Sequence, residues 1–141
     1  MLPFSVFAAG VAGDIPRMRR LVEVARNMPI NGRLGETVRS AGEGLLLVAD
    51  GQVAEGMPSV REALKLADSM SAQLHYGMIA LAILHFLGPQ SPEARAAGEH
   101  ALANFESGKN HAMAGHLRDA LDASSLSAAS PAAAEAVRVS A

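Results

Sequence analysis

Residues 44–64 read GLLLVADGQVAEGMPSVREAL, and this stretch decides the fold. Runs of good helix formers lie on either side of Gly51-Gln52, and that pair supplies the break between them. Each arm carries a small residue, Gly44 before the break and Gly56 after it, and the second arm closes on Ala63-Leu64. Small residues on both arms of a short turn mark a place where two helix backbones approach closely. The stretch predicts an antiparallel helical hairpin.

Working outward, turn signals divide the rest of the chain in the same way. Downstream, helices are expected at 53–69, 71–87, 92–106 and 110–123. The breaks fall at Gly88-Pro89-Gln90-Ser91-Pro92 and at Ser107-Gly108, with Ser91 as an N-cap. Pro58 is tolerable because it lies near the start of its helix. Upstream, a helix is expected at 35–50, preceded by a loop over 29–34. Another starts at Asp14 as N-cap, with Pro16 in its first turn, and stops before Pro29. With the apolar N-terminal segment carrying Leu2, Phe4, Val6 and Phe7, this makes about seven helices.

Composition agrees. The 141 residues include 28 Ala and 16 Leu against ten Val, four Ile and one Thr, so helix formers dominate and the strand-favouring set is thin. The predicted class is all-α. Half of the residues are hydrophobic, which excludes a disordered chain, and the length suits one domain. That domain is expected over residues 1–123. Residues 124–141, rich in Ala and Ser, are expected to form a frayed or partly helical tail. There is no Cys, hence no disulfide, thiolate metal site or Cys nucleophile. The formal charge of −2 argues against a general nucleic-acid coat. The most apolar segment, 72–87 (AQLHYGMIALAILHFL), is shorter than the roughly 20 residues of a bilayer span and contains His75 and His85. It is expected to be a helix covered on nearly all sides. The start of the sequence lacks the basic region of a secretory leader, and a cytoplasmic location is expected.

The hairpin scheme repeats. Leu81-Ala82, Pro92-Glu93-Ala94 and Ala101-Leu102 follow the pattern with a longer turn, and Gly13-Asp14 and Ala25 follow it more loosely. Ala25, Ala63 and Ala101 are spaced 38 residues apart. The segments GQVAEGMPSVREALKLA and SPEARAAGEHALANFE resemble second helices of the tetratricopeptide repeat, a unit of about 34 residues. The closest flavour is the divergent repeat of large bacterial, especially actinobacterial, signalling ATPases and transcription regulators. There a last repeat is followed by one more helix, as HAMAGHLRDAL would be in this chain. The chain departs from the repeat pattern in lacking its early aromatic residues, in units about four residues longer, and in a poorly formed first unit.

The resemblance implies a right-handed, solenoid-like array of antiparallel hairpins that binds a protein partner or a second copy on its concave face. It places Val38, Ala41, Leu45 and Val48, then Tyr76, Ile79, Ile83 and Phe86, on that face as a partner-binding groove. Such an apolar stripe must be covered, by a partner or by another helix of the chain, of which the N-terminal one is the better candidate. The resemblance also implies a regulatory or signalling role without catalysis. The alternative is a small-molecule sensor, holding an apolar ligand among Tyr76, His75, Met78 and Phe86. A cavity of several hundred Å³ would favour the ligand, and an open groove would favour the protein.

Chemistry-bearing motifs are few. His111 and His116 are five apart, not the four of a helical metal pair, and no His-x-x-x-His occurs, so neither a metal nor a cofactor is expected. There is no Gly-x-Ser-x-Gly elbow. Gly108-Lys109 lacks the rest of a phosphate loop, and Gly10-x-x-Gly13 has no strand before it. Glu43, Asp50, Glu55 and Glu62 read as a solvated face. Residues 1–40 hold six Arg against three acidic residues. Within them Arg17, Arg19, Arg20 and Arg26 form a candidate basic patch for an acidic partner. Nucleic acid and membrane are not expected as partners.

Overall fold

A computed structural model describes residues 2–27, 29 and 32–129. The described residues are all-helical, with seven helices: α1 (Leu2–Val11), α2 (Ile15–Asn27), α3 (Arg33–Ala49), α4 (Val53–Ser69), α5 (Gln73–Leu87), α6 (Pro92–Ser107) and α7 (His111–Ala129). Among the described residues there is no strand, and no helix is long and apolar enough to cross a membrane.

The boundaries follow from local chemistry. Asp14 Oδ1 accepts the Arg17 backbone N–H at 3.2 Å, and Ser91 Oγ accepts that of Ala94 at 3.4 Å, so both act as the N-caps expected of them. Asn110 caps α7 in the same way through the Met113 N–H, at 3.2 Å. Gly51 ends the α3 hairpin arm with φ 87°, and Gly88 ends α5 with φ 76°, the left-handed conformation that glycine adopts without strain. Two ends differ from expectation. Helix α3 begins at Arg33 rather than Gly35, because Gly32, at φ 99°, already makes the turn. Helix α7 runs on to Ala129, so residues 124–129 are helical. The remainder of the expected tail, 130–141, lies outside the described residues.

Each helix packs against the next, and the odd-numbered helices also touch one another: α1 with α3 and α5, α3 with α5, and α5 with α7. The even-numbered helices form the outer layer. Helices α4 and α6 have no backbone packing and are tied by side chains alone. Arg61 grips the Glu93 carboxylate through two nitrogens, and His100 Nε2 lies 3.1 Å from Asp68 Oδ1. This layering is compatible with a solenoid.

The close crossings occur where small residues allow them. A Cβ on Gly44 would lie 2.7 Å from the Gly56 carbonyl oxygen, and one on Gly56 would strike the Gly44 carbonyl. Helix α5 is the centre of the core. It packs against α1, α3, α4, α6 and α7, and Gly77 and residues 79–84 are buried. The expectation that this segment is covered nearly all round matches the structure.

Candidate functional site

The apolar stripe expected to line an open groove is closed. Val38, Ala41, Leu45, Val48, Ile79 and Ile83 are all at most 5% exposed. Tyr76 and Phe86 are partly buried against the core. Helix α1 lies against both α3 and α5 with Val6 and Phe7 fully inside, while α2 and α4 flank α3, where Val48 Cγ2 lies 3.0 Å from the Cβ position of Gly56. Val6 reaches α3, 3.5 Å from the Cβ position of Gly42, and Phe86 packs on α1, 3.8 Å from that of Gly10. The chain's own helices, α1 among them, therefore cover the stripe.

The basic patch is also reduced. Arg19 donates to both Asp50 carboxylate oxygens, at 2.9 and 3.1 Å, and Arg26 donates to Glu43 at 2.9 Å and to Glu23. Those guanidinium charges are neutralised within the chain, and among the described residues Arg17 and Arg20 have no ion pair at that distance. The pairs are exposed and screened by solvent, so they orient side chains more than they stabilise the fold.

A cleft of about 600 Å³ lies between α1, α5 and α7. Three helical stripes converge on it. Helix α1 presents Ala8 and Val11, with Ala12 just beyond its end. Helix α5 presents Met78, Leu81 and His85, with Gly88 just beyond its end. Helix α7 presents Met113, His116 and Ala120. Met78, Leu81 and His85 on α5 and Met113, His116 and Ala120 on α7 each recur at three and seven residues, one face of an α-helix. Space exists because the α1 wall is built from alanines. The volume falls within the roughly 300–1,000 Å³ typical of small-molecule sites. The cleft wall includes no carboxylate, amine, hydroxyl or side-chain amide, and its polar side chains are the imidazoles of His85 and His116.

Of the residues expected to hold a small ligand, only Met78 lines this cleft. Tyr76 instead sits against His100, with ring centroids 5.0 Å apart, beside the α4–α6 seam. Burial and the nearby Asp68 carboxylate both raise the Tyr76 pKa. His75 is half-buried, and loss of hydration pushes its pKa below the ordinary imidazole value. A histidine with a depressed folded-state pKa binds its proton more weakly than the unfolded chain does. Its contribution to stability is complete above the unfolded value near 6.5 and declines as pH falls through the folded one. Replacing His75 with Gln is expected to flatten the loss of melting temperature between pH 7.5 and 5. Parallel thermal melts that fall by the same amount in both proteins would contradict this.

The chain matches no family model, no curated protein and no solved structure.

Among the described residues no three His, Asp or Glu side chains converge as metal ligands. Met78 and His85 are seven residues apart, about 10 Å along the helix axis, so the sulfur and imidazole donors of the cleft spread along it. His116 had a readable signal in the sequence, since it shares a helical face with Met113 and Ala120. The α1 alanines carried none, because alanine reads as helix propensity wherever it occurs.

Proposed function

We propose that this chain is a non-enzymatic helical-repeat module that binds a small apolar ligand in the cleft between α1, α5 and α7. The observation that carries the proposal is the cleft itself, a concavity of about 600 Å³ walled by apolar side chains with two imidazoles. Absence of catalysis is part of the reading. The wall offers no nucleophile with an adjacent base, and the imidazoles have no carboxylate in the cleft to orient them.

The tetratricopeptide-like reading is supported by the recurrence of the outer helices. Helix α4 starts 38 residues after α2, and α6 starts 39 after α4. If the regulatory role of the resembled bacterial proteins carries over, the module is a cytoplasmic sensor, and its ligand acts on α1. That helix both walls the cleft and covers the α3–α5 core, so a ligand that favours its docked position stabilises the whole array. A protein-partner reading keeps one observation, Arg17 and Arg20 on α2, which form no ion pair among the described residues and suit an acidic segment.

The test is a neutral apolar dye such as Nile red. It is expected to bind one per chain with increased emission. Ala12→Phe, at an exposed position on the cleft wall, is expected to weaken binding by about tenfold or more while leaving the thermal melt unchanged. Equal binding by both proteins would show that the dye sits elsewhere and would remove the proposal's support.

A further inference from the structure

We infer that copies of this chain associate head to tail, the outer face of α2 on one copy docking on the outer face of α7 on the next. The inference names the acidic surface that the protein-partner reading calls for, and it does not depend on the cleft.

The two helices lie at opposite ends of the array. Among the described helices, α2 packs on α1 and α3 alone, and α7 on α5 and α6 alone. On α2, Met18, Val22 and Ala25 face the core, while Arg19 and Arg26 reach across to Asp50 and Glu43 of α3. Arg17, Arg20 and Val24 fall on the remaining side, three and four residues apart, one stripe of a helix. All three are exposed, and neither arginine has an ion pair among the described residues. Val24, at 48%, is the most exposed large apolar side chain among the described residues.

Helix α7 carries the complement. Ala114, Leu117 and Leu121 are buried, and Met113, His116 and Ala120 line the cleft. Gly115, Asp119 and Asp122 share a third face, four and three residues apart. Both aspartates are exposed and have no ion pair among the described residues; the neighbouring Arg118 is bonded to Glu106 of α6. Nothing lies within 4 Å of the Cβ position of Gly115. Gly77, 38 residues earlier on α5, is by contrast filled, since a Cβ there would strike the Phe105 ring of α6.

Laid antiparallel, the two stripes match in register. Arg17 meets Asp122, Arg20 meets Asp119, and Val24 enters the space over Gly115. The rise between members is the same on both, about 4.5 Å for three residues and about 6 Å for four. A slide of one turn either way leaves an arginine without an aspartate. The wider charge distribution agrees. Residues 1–40 hold six Arg against three acidic residues, and residues 41–141 hold eleven acidic residues against six basic, so the two ends attract.

Analytical ultracentrifugation of the full chain reads the association. The contact is small, so a dissociation constant of about 0.1–1 mM is expected. Raising salt from about 0.01 M to about 1 M, which shortens the reach of a charge from about 30 Å to about 3 Å, is expected to weaken it about tenfold or more. Arg17→Glu with Arg20→Glu, and separately Asp119→Lys with Asp122→Lys, are each expected to weaken self-association about tenfold or more. An equimolar mixture of the two variants is expected to restore it, because the acidic α2 of one then meets the basic α7 of the other. Restoration also shows that both variants are folded. Association that either variant leaves unchanged, or that mixing does not restore, overturns the inference. So does a chain that stays monomeric up to about millimolar concentration. If that monomer binds an aspartate-rich peptide through Arg17 and Arg20, the acidic partner stands and the second copy falls; if it binds none, both fall.

Discussion

Gly56→Ala is expected to destabilise the protein by about 2–3 kcal/mol, and Gly115→Ala, the same change on α7, to stabilise it by about 0.5–1 kcal/mol. The opposite signs come from what the new methyl group meets. On Gly56 it strikes the Gly44 carbonyl oxygen and lies 2.9 Å from Leu47 Cβ and 3.0 Å from Val48 Cγ2. A carbonyl in the helix ladder cannot swing aside, so α3 and α4 must move apart. Overpacking of this kind costs about 1–3 kcal/mol and occasionally more, and the helix-propensity gain of about 1 kcal/mol offsets only part of a cost at the upper end. At Gly115 nothing lies within 4 Å, and only the propensity gain remains. Gly44→Ala opens the same crossing, so the double variant is expected to cost less than the two single effects added. Urea and thermal unfolding measure all four proteins. A Gly56→Ala melt within error of the parent would show that the α3–α4 crossing is looser than described.

The same pair shows why much of the fold was readable. Gly44, Gly51 and Gly56 sit in one short stretch, and the packing they specify is local, between helices joined by a tight turn. The N-caps Asp14 and Ser91 and the stop at Gly88 are local in the same sense, since each depends on a side chain or a φ angle within a few residues. The exceptions at Arg33 and at the end of α7 are also local, matters of where a turn is satisfied. What covers the candidate groove was left open, between a partner and another helix of the chain, for a different reason. Whether Val38, Leu45 and Ile83 face a partner or the chain's own interior depends on how α1, α2 and α4 dock on α3 and α5. Nothing in the periodicity of α3 or α5 encodes that choice, because an apolar stripe looks the same whichever helix covers it. The cleft was hidden for a related reason. Its wall joins residues from Ala8 to Ala120, and its volume depends on small side chains on α1, whose contribution is the space they leave.

Ile83→Asp is expected to abolish folding, whereas the same apolar-to-acidic change at Leu74 is expected to alter stability by no more than about 0.5 kcal/mol. Both residues lie on α5, and the difference is their surroundings. Ile83 is 0% exposed, within the helix that touches five others, and Leu74, in the first turn, is 40% exposed. At position 83 two costs add. Removing the Ile side chain from a filled site forfeits about 2–5 kcal/mol, the range for large-to-small core changes. The carboxyl must then be buried with no partner or must stay protonated at neutral pH, and either outcome costs several kcal/mol more. The total is comparable to the roughly 5–15 kcal/mol that holds a domain of this size together. Ile83→Val keeps the site apolar and is expected to cost only about 0.5–1.5 kcal/mol, which separates the effect of charge from that of shape. Circular dichroism and size-exclusion chromatography of the four proteins give the readout. A soluble, helical Ile83→Asp protein with a near-normal melt would mean that this face of α5 reaches solvent, and that α1 is not the lid over the α3–α5 core. In that event the stripe through Ile79 and Ile83 would again be open to a partner. An unfolded or aggregated variant beside a normal Leu74→Asp protein fixes α5 as the closed centre of the array, leaving the α1–α5–α7 cleft as the apolar surface at which α5 remains open to a ligand.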